Sequence, residues 1–204
     1  MRLNFDPLKK YSGILVHPSS LPGGSYCGTF GNSVKDWIQI LSIYKINTWQ
    51  FLPLSPTDSV GSPYSSPSSF ALNPWFLDVE ELTNNNFIKQ SQQVKKIQLD
   101  AKNLNTFQFK VADELSKIIG NLLIDSWELQ SSDKKDQFYV WCKNNSWVND
   151  FSVFMTLKEE FNFSAWWNWP EDFKYKNKLA IEQWEKNNTK PILQRKLIQW
   201  HLDR

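Results

Sequence analysis

Residues 12–18 read SGILVHP, residues 32–45 read NSVKDWIQILSIYK and residues 47–54 read NTWQFLPL. The first is a short apolar, β-favouring run that stops at Pro18, which has no N–H to give to a sheet ladder. The second places Val34, Trp37, Ile38 and Leu41 at helical spacing, with Asn32 or Ser33 available as N-cap. The third is an apolar run from Thr48 to Leu52, ended by Pro53. Strand, helix, strand in this order is a βαβ unit, and its crossover makes the two strands parallel. Parallel strands are usually covered on both faces, which fits runs that are apolar almost throughout.

In parallel α/β architectures, ligand sites gather on loops leaving the carboxyl ends of strands. Two Pro-, Gly- and Ser-rich segments, 17–31 and 53–74, occupy that position. The second contains GSPYSSPSSFALNP at 61–74, with three prolines and five serines around one tyrosine. Prolines stiffen such a loop and lower the entropy lost on ordering it. Tyr64, an aromatic ring with a hydroxyl, is suited to the apolar face and hydroxyl edge of a sugar. The competing role is structural, a tyrosine anchoring its own loop.

Other candidates for chemistry are few. His17 and His201 are the only histidines; His17 sits at a strand end, where it serves either as acid–base group or as hydrogen-bonding group of a proline-rich turn. Asp58, Asp78, Glu80 and Glu81 flank the loop, but acids at a helix start suit the dipole, and Asp78 reads as a cap or turn residue. GxSxG, a phosphate-binding glycine loop, HExxH and zinc-type Cys/His spacing are all missing. No cofactor and no metal is expected.

From about residue 79 the composition turns to Asn, Gln, Lys and Glu and the periodicity becomes helical. Residues 106–123 set Phe107, Val111, Leu115, Ile118 and Leu122 on one face, and residues 147–161 do the same with Trp147, Phe151, Phe154, Met155 and Phe161. Pro170 and Pro191 each stand where a helix can begin, the latter followed by Ile192, Leu193, Lys196, Leu197 and Trp200.

The 204 residues are 41% hydrophobic, 15% aromatic and 22% charged, as expected of a folded chain rather than a disordered one. Eleven tryptophans provide either thick core packing or ring platforms for a flat ligand. A net charge of +2 from scattered residues argues against nucleic acid as a partner. No apolar run approaches the ~20 residues of a membrane span, and the start lacks a signal- or transit-type leader, so a cytoplasmic protein is expected. Cys27 and Cys142 lie far apart and read as reduced thiols.

SGILVHPSSLPG, YCGTFG, WQFLPLSPT and GSPYSSPSSFALNPWFLDVEEL, in this order and spacing, resemble the amino-terminal portion of 4-alpha-glucanotransferases, the amylomaltase or disproportionating-enzyme family. WVNDFSVFMTLKEEF, WWNWPEDFK and LQRKLIQW resemble its helical region, so the likeness covers essentially the whole chain. It implies an α/β fold: an incomplete TIM (β/α) barrel represented by its first two strands, with a largely helical inserted subdomain. The implied divisions are 1–78 for the first β/α units and the substrate loop, 79–190 for the insertion, and 191–204 for a helix returning to the barrel.

The resemblance further implies Tyr64, with Ser62 as a second contact, lining the sugar site. The implied partners are maltooligosaccharides or other α-1,4-glucans, and the reaction moves glucan segments between them with retention. The family's catalytic carboxylates lie on later strands, so none is expected before residue 204. On this reading the chain is an amino-terminal fragment, inactive alone, for which the missing carboxyl-terminal part is a partner. An aromatic that relatives often carry five residues before the tyrosine is replaced by Ser59, which weakens a secondary glucan contact there. The alternatives are a stand-alone carbohydrate-binding module, against which the apolar placement of Trp37, Trp147 and Trp200 counts, and a non-functional gene remnant.

Overall fold

The computed structural model describes residues 10–23, 26–58, 61–89, 91–92, 94–96 and 109–204. Strands β1 (Gly13–Leu15) and β2 (Thr48–Gln50) are parallel, joined by helix α1 (Asn32–Ile43). Gly13 faces Thr48, Ile14 faces Trp49 and Leu15 faces Gln50. The βαβ reading of the sequence therefore holds. Each strand is three residues, because the chain turns away from the ladder soon after one further bond from Val16 N–H to the Gln50 carbonyl.

Two details depart from expectation. The strands are not covered on both faces: Leu15 is 59% exposed, and α1 turns Ile38, Ile40 and Ile43 to solvent. Among the described residues the sheet has two strands, so nothing flanks its outer edges. Nor is α1 capped by Asn32 or Ser33; Gly31 is the N-cap and no side chain caps the helix. A Cβ on Gly31 would lie 2.3 Å from the Asp78 carboxyl, so a side-chain cap has no room there.

The α-helices that follow the sheet are α2 (Val79–Asn84), α3 (Phe109–Trp127), α4 (Ser132–Asn144), α5 (Trp147–Glu160), α6 (Glu171–Lys174), α7 (Lys178–Asn187) and α8 (Thr189–Asp203). Helix α8 runs through the middle and packs against α3, α4, α5 and α7. One apolar core joins Phe76, Leu82, Phe87, Leu115, Ile119, Trp127, Phe138, Leu197 and Trp200. Each such side chain contributes about 1.5–3 kcal/mol by leaving water.

The periodicities locate the helices, but the buried lines are rotated. In α3 the most enclosed residues are Ala112, Leu115, Ile119, Leu123 and Trp127, while Val111, Ile118 and Leu122 are half-buried; Phe107 lies outside the described residues. In α5 the expected aromatic face is half-buried, and Val148, Ser152, Thr156 and Leu157 are enclosed instead. Small side chains there let α8 approach, and Arg195 of α8 donates from Nε to Thr156 Oγ1 (3.0 Å) and from a terminal nitrogen to Glu159 (2.5 Å).

Candidate functional site

Because β1 and β2 run in the same direction, the loops that follow them leave side by side. Trp49 Nε1 donates to the Val16 carbonyl at 2.8 Å, and His17 Nε2 lies 3.4 Å from the Pro53 carbonyl oxygen. His17 is thus a turn residue. Its Nδ1 is 2.7 Å from Ser19 Oγ, and partial burial lowers its pKa, against which the Pro53 carbonyl works. No carboxylate is paired with it in these contacts, so the structural alternative fits His17 better than acid–base work.

The first loop is fixed onto the 3-10 turn Pro74–Phe76. Phe30 N–H donates to the Phe76 carbonyl at 2.8 Å, the two rings stack at 4.7 Å, and Tyr26 hydroxyl donates to the Trp75 carbonyl at 2.7 Å. Burial pushes the Cys27 thiol up to about 12, which makes it inert core packing rather than a nucleophile. Gly28 permits the close approach: a Cβ there would stand 2.0 Å from the Pro18 carbonyl oxygen.

The second loop, 53–74, is closed at its base. Asn73 N–H donates to the Leu54 carbonyl at 2.8 Å. The buried amide of Gln199, on α8, then takes both polar groups of Leu72: Oε1 accepts its N–H and Nε2 donates to its carbonyl, each at 2.8 Å. Within the loop the serines act as local backbone partners. Ser66 Oγ accepts from Ser68 N–H, Ser68 Oγ accepts from Phe70 and Ala71 N–H, and Ser62 N–H donates to Asp58 Oδ1 at 3.0 Å. Phe70 stacks on Trp147 of α5, 6.0 Å between ring centres.

This scaffold presents Tyr64, which is 75% exposed. Its backbone N–H is 3.4 Å from Ser62 Oγ, and Ser62 itself is half-buried. The anchoring role considered for Tyr64 is therefore filled by other residues: the base bonds, the serines and Gln199 hold the loop, and the tyrosine ring stands out from it. Ser59 lies outside the described residues.

Asp78 and Glu81 are structural. Asp78 caps α2 through Glu81 N–H (2.8 Å) and accepts the Thr29 hydroxyl at 2.5 Å. Glu81 pairs with Lys35 at 3.0 Å, which holds its carboxyl below the usual range. Among the described residues no group of three or more His, Cys, Asp or Glu side chains is placed to hold a metal ion. Sequence reasoning missed Gln199 and the Phe70–Trp147 stack. Gln199 could have been found from its position seven residues after Ile192, on the same buried helical face as that apolar residue.

Residues 16–204 match the family profile described as 4-alpha-glucanotransferase. The chain is 30% identical to the 4-alpha-glucanotransferase of Clostridium butyricum over 185 residues, 91% of this chain and 37% of that protein. With the 4-alpha-glucanotransferase of Streptococcus pneumoniae the identity is 29%, covering 94% of this chain and 38% of the relative. The amylomaltase from Streptococcus agalactiae, solved in complex with acarbose, superposes with a TM-score of 0.81 at 25% identity, over 96% of this chain and 39% of that one. The chain thus spans well under half the length of the relatives it matches.

Proposed function

The chain belongs to the 4-alpha-glucanotransferase family, and from that membership we propose that loop 53–74 is one wall of a site for α-1,4-glucan, with Tyr64 laid against a sugar ring and Ser62 as a further contact. The observation that carries this reading is an exposed tyrosine on a loop whose base and rear are immobilised. A ring held outward at little ordering cost can spend its contact on a ligand. The amylomaltase of similar fold is itself a protein seen with acarbose.

The reaction proposed is transfer of an α-1,4-glucan segment from one maltooligosaccharide to the 4-hydroxyl of another, with retention. Retention by this route needs a carboxylate nucleophile and an acid–base carboxyl group about 5–5.5 Å apart. Asp78 and Glu81 are already engaged in a helix cap and an ion pair. The proposal therefore assigns both catalytic carboxyls to sequence beyond these 204 residues, with β1, α1 and β2 as the first units of a (β/α) barrel that the remaining units complete. The divisions 1–78, 79–190 and 191–204 follow the same reading, although one apolar core runs across them. Two free cysteines suit a reducing, cytoplasmic setting, and among the described residues no helix is long and apolar enough to cross a membrane.

The test is glucose release and chain redistribution from maltotriose, by the 204-residue chain alone and mixed with the complementary remainder of the Clostridium butyricum relative. Activity is expected only in the mixture, and Tyr64→Ala is expected to lower it about tenfold or more. Turnover by the chain alone would overturn the division of labour. An unchanged rate for Tyr64→Ala in the mixture would remove the tyrosine from the site.

A further inference from the structure

Among the exposed apolar side chains of the described residues, two regions away from loop 53–74 differ in chemistry. Along β1 and α1 the exposed groups include four aliphatic side chains, Leu15, Ile38, Ile40 and Ile43, beside the rings of Tyr11, Tyr44 and Phe51. Around the 3-10 turn Trp166–Asn168 they are aromatic, with Trp166 49% and Trp167 59% exposed. Aliphatic side chains fit another protein surface. Flat rings with a polar edge fit a ligand that is apolar on one side and hydroxylated at its rim.

Three observations mark the second region as built. First, the turn ends on a packed aromatic cluster: Trp169, the residue after Asn168, is buried, donates Nε1–H to the Ser164 carbonyl at 3.3 Å, and lies against Phe154 and Phe161, and Phe161 continues to Phe173. Second, among the described residues neither Trp166 nor Trp167 has a protein acceptor for its indole N–H, whereas Trp141, Trp169 and Trp184 each have one; Trp37 Nε1 also lacks a partner but is enclosed, while Trp166 and Trp167 are exposed side chains. Third, the chain enters the turn through Asn162 and Phe163 at φ of 52° and 58°, a left-handed conformation that a bulky Phe seldom takes.

The two ring planes meet at 81° with centres 5.7 Å apart. Coplanar rings suit a flat ribbon; rings set at a right angle suit a chain that curves between them, as an α-1,4-linked glucan does. The position is also separate from loop 53–74. The turn packs against α6, α6 packs on α7, and α7 feeds directly into the first turn of α8, while Gln199 holds Leu72 near the other end of that helix, about 15 Å further on.

We propose that Trp166 and Trp167 form a second, non-catalytic glucan-binding platform, which rests on the α-glucan reading of the chain and would hold a long substrate at a distance from Tyr64. Free indole N–H groups then donate to sugar hydroxyls, and the ring faces take the apolar faces of successive glucose units.

The experiment is native affinity electrophoresis of the 204-residue chain in gels containing glycogen or hydroxyethylcellulose, with maltoheptaose titrations read by tryptophan fluorescence. Glycogen is expected to retard the chain and the cellulose derivative is not. Combined Trp166→Ala and Trp167→Ala is expected to weaken glycogen binding about tenfold or more, with helical circular dichroism unchanged. The paired substitutions to Phe, which keep the rings, retain most of the binding and guard against a folding artefact. Tyr64→Ala, which removes the contact proposed at loop 53–74, is expected to weaken retardation only in part, and most of the remainder is lost when the two Trp substitutions are added.

Loss of retardation in Tyr64→Ala with none in the double Trp variant would overturn the platform and leave the loop reading standing. Equal retardation by both polymers, or none by glycogen, would also overturn it; the maltotriose assay judges the loop independently. A self-association removed by the double variant, without change in glycogen binding, would instead assign this face to a second copy of the chain.

Discussion

Gly28 and Gly31 show how much of the loop geometry rests on single atoms. A methyl group at Gly28 would meet the Pro18 carbonyl at 2.0 Å, a backbone atom that cannot swing aside. Gly28→Ala is expected to cost about 2 kcal/mol or more, measured as a shift of the urea midpoint, with the Phe30–Phe76 stack disturbed. At the other end of the chain, burial and the neighbouring Arg204 and Lys134 push the pKa of His201 down to about 3. The unfolded chain, with His at ~6.5, therefore binds more protons between these values, and stability falls as pH drops from 6.5 towards 3 by up to about 1.4 kcal/mol per pH unit. His201→Phe is expected to flatten that limb of the pH–stability curve. At this scale the sequence was partly readable. Asp78 as a cap and His17 as a turn residue follow from residue type and position, but the glycine cap of α1 depends on a carboxylate 47 residues away, which no local pattern reveals.

Elements were easier to place than their faces. Periodicity of 3.6 located α1, α3 and α5, and the prolines at 18 and 53 closed the strands. The buried stripe of α5 contains Ser152 and Thr156, polar residues that a hydrophobic pattern passes over, because closeness to α8 matters more there than apolar area. The amide of Gln199 is similar: it takes the N–H and carbonyl of Leu72 as a neighbouring strand would. Gln199→Leu keeps the volume but strands both groups, and is expected to cost about 2–4 kcal/mol. The distinguishing measurement is amide hydrogen exchange: Leu72 should lose protection while α3 keeps it. Equal loss in both would make Gln199 a general core residue rather than a holder of the loop.

The molecule as a whole has two unlike parts, a tight helical core around α8 and a thin two-stranded sheet with an open groove of about 610 Å³ between α1 and β2. The βαβ unit was readable from strand, helix, strand alone; the exposure of that unit was not, since apolar strands look the same in sequence whether covered or bare. Ile38→Glu with Ile43→Lys is expected to leave the thermal midpoint of the helical core within about 1 °C, because surface changes outside a core are usually small. In the mixed maltotriose assay the same pair is expected to abolish activity. The tie between Leu72 and Gln199 spans 127 positions of chain, and at the usual ~5–20 residues per second of synthesis the loop waits several seconds for its holder to be made. A growing chain thus completes loop 53–74 late, after the helices behind it, and the loop's shape depends on residues made long after the segment that spells it.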